Sequence, residues 1–166
     1  MLQRSAQQIE KVLSILTICL IPVHLLGSCI NAINSIDKGY GHSYPLETYI
    51  LIGLYLLVII AVDLHILVRR GFVHLRGYTC YWGISSIIIL LSLIGLATLD
   101  TYTIGPIIAL PLMATPYGML FPVVELFFLE NSSINICFIV LLFCLLNWSL
   151  CILIKQFFQR KKHEAN

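Results

Sequence analysis

Four long apolar stretches restrict this 166-residue chain more than any other feature: Val12–Ile33, Thr48–Val68, Gly77–Leu99 and Ile134–Ile154. A helix needs about 20 mostly apolar residues to cross the hydrocarbon of a bilayer, and each stretch is that long. Three of them contain no Asp, Glu, Lys or Arg, and the Thr48–Val68 stretch is interrupted only by Asp63 and His65. Hydrophobic residues make up 59% of the chain and charged residues 11%, against roughly 45–50% and 25% in soluble domains. That leaves too little charge to cover a water-facing surface. The expected fold is all-α: a single integral membrane domain over 1–166, built as a polytopic bundle of four transmembrane helices.

The segment 101–124 is equally free of charge but holds Pro106, Pro111, Pro116 and Pro122, with Gly105 and Gly118. Each proline removes a backbone donor and crowds the preceding turn, and an unsatisfied backbone group in lipid costs several kcal/mol. A regular fifth crossing is therefore not expected. The composition predicts a proline-rich re-entrant or interfacial hairpin of irregular backbone between the third and fourth helices.

Charge placement supports the same count. Basic residues collect in cytoplasmic loops. Arg69, Arg70 and Arg76 lie between the second and third stretches, Lys155, Arg160, Lys161 and Lys162 follow the fourth, and Arg4 and Lys11 precede the first. Between Asp100 and Ser133 there is no Lys or Arg. Both basic regions belong on one side, so an even number of crossings must separate them. The expectation is a bacterial plasma membrane with N- and C-termini cytoplasmic. Tyr78, Tyr81 and Trp82 at the start of the third stretch, and Tyr40, Tyr44 and Tyr49 flanking the start of the second, are expected in the aromatic belts at the interfaces.

The first stretch begins like a signal peptide, and Leu25-Leu26-Gly27-Ser28-Cys29 resembles a bacterial lipoprotein cleavage site, which would make Cys29 a lipidation point. Pro22 and His24 interrupt the run, and a multi-pass lipoprotein would be unusual, so the expectation is an uncleaved first helix. Intact mass distinguishes the two.

Ionisable groups at membrane depth merit a functional hypothesis. With a rise of about 1.5 Å per residue, Asp63, Asn147, Ser85, Ser86 and Thr17 all fall about 8–12 Å from the inner ends of their helices. They form a candidate polar binding layer centred on Asp63, where desolvation works against a bare carboxylate. The alternative is a helix-packing network. On the outer side, Asp100, Glu125 and Glu130 form an acidic, lysine-free surface around the hairpin, suited to a partner protein, a peptide or a cation. No cofactor is expected: His24 and His65 differ in depth, and His42 and His74 lie in loops. No metal site is expected either. Cys137, Cys144 and Cys151 recur every seven residues, about 10.5 Å apart along a helix, too far to share an ion whose sulfurs lie about 2.3 Å from it. They read as a packing seam of small residues.

A net charge of +2 gives no reason to expect a nucleic-acid partner. No Walker loop, HExxH or GxSxG occurs, and no cysteine pair of the kind membrane thiol oxidoreductases need. Three classes remain, in this order: a non-catalytic accessory or interaction subunit, such as a transporter partner or immunity-type protein; a small oligomeric transporter or channel using Asp63; and an intramembrane lipid-modifying enzyme. The expected partners are the lipid bilayer and another membrane protein or a second copy of the chain.

Overall fold

The computed structural model describes residues 2–38, 44–69, 75–98, 101–127 and 133–164. These form six helices: α1 Leu2–Lys38, α2 Leu46–Arg69, α3 Leu75–Thr98, α4 Thr101–Met113, α5 Pro116–Phe127 and α6 Ser133–Glu164. Among the described residues there is no strand. Four helices carry segments long and apolar enough to cross a membrane: Ile15–Ile33, Leu46–Leu67, Arg76–Thr98 and Ile134–Gln156. These bounds lie close to those expected from hydrophobicity. α1 runs well beyond its apolar core because Ala6, Gln7, Gln8, Glu10 and Lys11 are acceptable or good helix formers.

Each long helix buries one stripe. On α2 the buried residues are Thr48, Ile52, Tyr55, Ile59, Val62 and Ile66, alternating steps of four and three that keep one face toward a neighbour. On α6 the stripe is Cys137, Val140, Cys144, Asn147 and Cys151, so the cysteines lie in a packing seam. Ile18, Leu57, Leu64, Leu91 and Leu153 face outward. The buried aromatic and polar side chains thus lie among core aliphatics, and the outer face carries mainly aliphatic residues.

Side-chain contacts give the directions. Tyr81 of α3 meets Tyr55 of α2, and Tyr78 meets Asp63, so α2 and α3 are antiparallel. Trp82 packs on Phe143, whereas Tyr78 and Thr79, earlier in α3, lie beside Cys151, later in α6, so α6 runs antiparallel to α3. The C-terminal part of α6 therefore returns to the end of the bundle where α2 finishes and α3 starts.

The proline-rich segment differs from expectation. It is two helices rather than irregular backbone, meeting at a 93° bend between Ile107–Met113 and Pro116–Glu125. Thr115 makes the break. Its hydroxyl donates to the Leu112 carbonyl at 2.6 Å and accepts from the Tyr117 N–H at 3.3 Å, ending α4 and capping α5. Pro116 then occupies the first helical position, where its missing N–H costs nothing. Pro122 removes the donor that would serve the Gly118 carbonyl four residues earlier, and the Asn31 side-chain amide of α1 takes that role at 2.9 Å. It also reaches the Met119 carbonyl at 3.3 Å. Counting prolines weighed the lost donors without the side chain that replaces one of them.

Thr115 through Pro122 are all buried. α5 follows α1 closely, with Gly118 against Ser28 and Met119 against Gly27. Its far end reaches Tyr44, whose hydroxyl donates to Glu125 at 3.1 Å. α4 starts three residues after α3 ends and packs beside it. Both ends of the α4–α5 pair therefore lie at the end of the bundle where α1 finishes and α2 begins.

Candidate functional site

Three helices bring polar side chains together beside the α4–α5 break. α1 contributes His24, only 1% exposed. α2 contributes Tyr55 from its buried stripe and α3 contributes Tyr81, nearly two turns from its start. The Tyr81 hydroxyl lies 2.9 Å from His24 Nδ1 and 2.7 Å from the Tyr55 hydroxyl. Aromatic packing fixes the geometry: Trp82, with no exposed surface, sits edge-on to Tyr81 at 5.0 Å, to Phe143 at 5.6 Å and to Tyr78 at 5.7 Å. Such pairs contribute about 0.5–1.5 kcal/mol each beyond the area they bury. His24 Nε2 faces the Thr115 backbone without completing a hydrogen bond of good geometry. Chemically, the arrangement is a short chain of hydroxyls ending on an imidazole, which can hold and relay a proton.

A second polar pair lies nearer the α2–α3 end. The Tyr78 hydroxyl donates to Asp63 Oδ1 at 3.0 Å. Cys151 and Thr79 lie beside this pair. Asp63 is half-buried.

The polar layer expected around Asp63 is arranged differently. Ser85, Ser86 and Asn147 are buried and Thr17 is half-buried. However, Ser86 donates to the Trp82 carbonyl of its own helix at 2.8 Å, and Asn147 donates to the Phe143 carbonyl at 2.8 Å. Short polar side chains satisfy the preceding turn more readily than they reach across a helix gap. The hydroxyl that reaches Asp63 is that of Tyr78. On the expected acidic surface, Glu125 is held by Tyr44, while Asp100 and Glu130 lie outside the described residues. Cys29 is an exposed free thiol on the outer face of α1.

Tyr78 and Trp82, expected near an interface by depth, are also buried against neighbouring helices, at 2% and 0% exposure. Depth along a helix does not say which way they face. The spacing of Tyr78, Trp82, Ser85, Ile89 and Ser92 in steps of four and three was the available signal that they share one inward face. Tyr55 carried a clearer signal, as a hydroxyl in the middle of an otherwise apolar run.

The Asp63–Tyr78 geometry makes an asymmetric prediction. Asp63→Asn keeps an oxygen that can accept from Tyr78, so its thermal unfolding in detergent should change by less than about 1 kcal/mol. Tyr78→Phe strands the Asp63 carboxyl and should cost about 1–3 kcal/mol. Equal costs would sink this account of the pair. Comparison with known proteins adds no assignment: no family profile, no curated protein and no solved structure matches this chain.

Proposed function

We propose that this is a four-crossing protein of a bacterial plasma membrane with both termini in the cytoplasm, acting as a non-catalytic partner of another membrane protein. The α4–α5 pair then enters and leaves on the outer side. At about 1.5 Å per residue, the 13 residues of α4 and 12 of α5 each fall short of the roughly 30 Å hydrocarbon core. Their 93° bend and their ends at one end of the bundle support re-entry over a fifth crossing. Arg69 at the end of α2, Arg76 at the start of α3 and Lys155–Lys162 in α6 fall at the opposite end, which the positive-inside bias puts in the cytoplasm.

The observation carrying the partner role is how the interior polar groups are used. Asn31 serves carbonyls beside Pro122, Tyr78 serves Asp63, and Ser86 and Asn147 serve their own helices. Asn31 and Tyr78 tie helices together and Ser86 and Asn147 are satisfied within their own turns, whereas a conduit needs polar groups lining a path for its cargo. Purification in mild detergent tests the role: a larger membrane protein should co-elute in fixed stoichiometry. If the chain elutes alone and, in liposomes, carries a flux that Asp63→Asn abolishes, the transporter reading replaces this one. The half-buried carboxylate of Asp63 is the observation favouring that second reading. Topology is tested separately. Reporters fused after residue 164 and between α2 and α3 should both be active only in the cytoplasm, and a periplasmic signal from either overturns the layout.

A further inference from the structure

We infer that His24 is a proton-binding site inside the bundle, loaded through the Tyr55–Tyr81 hydroxyl chain and felt by the turn that joins α4 to α5. The argument goes beyond the partner role and does not depend on it. A neutral imidazole has one donor nitrogen and one acceptor nitrogen. With Nδ1 accepting from Tyr81 at 2.9 Å, the proton resides on Nε2, which faces Thr115. Tyr81 in turn accepts from Tyr55 across 2.7 Å.

A proton handed to the Tyr55 oxygen by a hydronium ion, which leaves as water, is relayed without moving a heavy atom. Tyr55 passes its hydroxyl proton to Tyr81 as Tyr81 passes its own to Nδ1. One O–H bond breaks and one forms at each tyrosine, one N–H bond forms at Nδ1, and both phenols stay neutral. The product is an imidazolium with the two hydroxyls reversed, its Nε2–H directed at the Thr115 backbone. Thr115 both ends α4 and caps α5, so the charge appears where the pair is hinged.

The groups surrounding the imidazole are known from each side. α2 presents Tyr55 and α3 presents Tyr81. α6 brings Cys144 beside the two tyrosines, the α4–α5 turn brings the Thr115 backbone, and α1 itself brings Ser28 one turn on. Asp63 lies eight residues from Tyr55 along α2, about 12 Å away, and so does not form an ion pair with His24.

Nitrogen NMR of the full chain in nanodiscs, with labelled histidine, tests the site, because imidazole shifts distinguish both tautomers from the cation. The resonance lost in His24→Gln should show the Nε2-protonated tautomer at high pH and convert to imidazolium as the pH is lowered while the bundle stays folded. Tyr81→Phe should remove the tautomer preference, and the Thr115 amide should shift with the same midpoint. The inference is overturned if that histidine stays neutral throughout, if its tautomer is unchanged in Tyr81→Phe, or if the Thr115 amide does not follow. Should His24→Gln fail to fold, single Gln variants of the four other histidines assign the signal by elimination. A lone titration that disappears with His65→Gln then overturns it.

Discussion

Gly118→Val should leave no monodisperse protein after detergent extraction. A Cβ at Gly118 would stand 2.6 Å from the Met113 carbonyl oxygen and 2.8 Å from Ser28 Oγ. The first is backbone on the far side of the break and cannot rotate away, and the second belongs to the helix against which α5 lies. Overpacking an interior position costs about 1–3 kcal/mol even where side chains can yield; here rigid groups bound the site on two sides. Gly118→Ala should already lower the thermal midpoint, and the branched side chain should prevent α5 from docking. Gly53 gives the control. A Cβ there meets nothing within 4 Å, and Gly53→Ala should be neutral or slightly stabilising because alanine favours the helix by about 1 kcal/mol. A Gly118→Val protein that elutes and melts like the wild type would remove the α1–α5 contact from the fold.

The second large effect is conditional. Asn31→Leu leaves the Gly118 carbonyl without its side-chain donor in a buried setting, and a buried group left unsatisfied costs about 1–3 kcal/mol. That cost arises because Pro122 has no N–H to offer. In a Pro122→Ala background the alanine amide can reach the same carbonyl as in any helix, and Asn31→Leu should then cost less. The four proteins form a double-mutant cycle whose coupling energy reads the exchange directly. Equal costs of Asn31→Leu in the two backgrounds would show that Asn31 acts through something other than the missing donor.

The two cases mark how far the sequence could be read. The four long apolar helices appeared from composition because about 20 consecutive apolar residues admit few other structures in water or lipid. The proline-rich segment was recognisable as unlike the others for the same local reason. That it is helical was not recognisable, because its missing hydrogen bond is completed by a residue 87 positions away. The polar cluster had the same difficulty. Asp63, Ser85, Ser86 and Asn147 were grouped by depth, which fixes one coordinate of three. Which hydroxyl reaches which acceptor depends on rotation about each helix axis. Stripe spacing on α3 encodes that rotation for Tyr78 and Trp82, whereas no local pattern announces that Tyr81 will meet a histidine on α1.

The enclosure of α5 also bears on how the chain is made. Its buried run from Thr115 to Pro122 touches α1, α2 and α6, and two of those neighbours precede it in synthesis while the third follows. A ribosome delivering residues in order produces a groove between α1 and α2 first, then a short helix to lie in it, and only later the helix that closes the open side. If the proposed membrane layout holds, insertion machinery that releases each apolar helix to lipid as it emerges would have to hold α5 back. The last apolar segment thus acts as a latch, and truncating the chain before Ser133 would leave α5 without the wall that retains it.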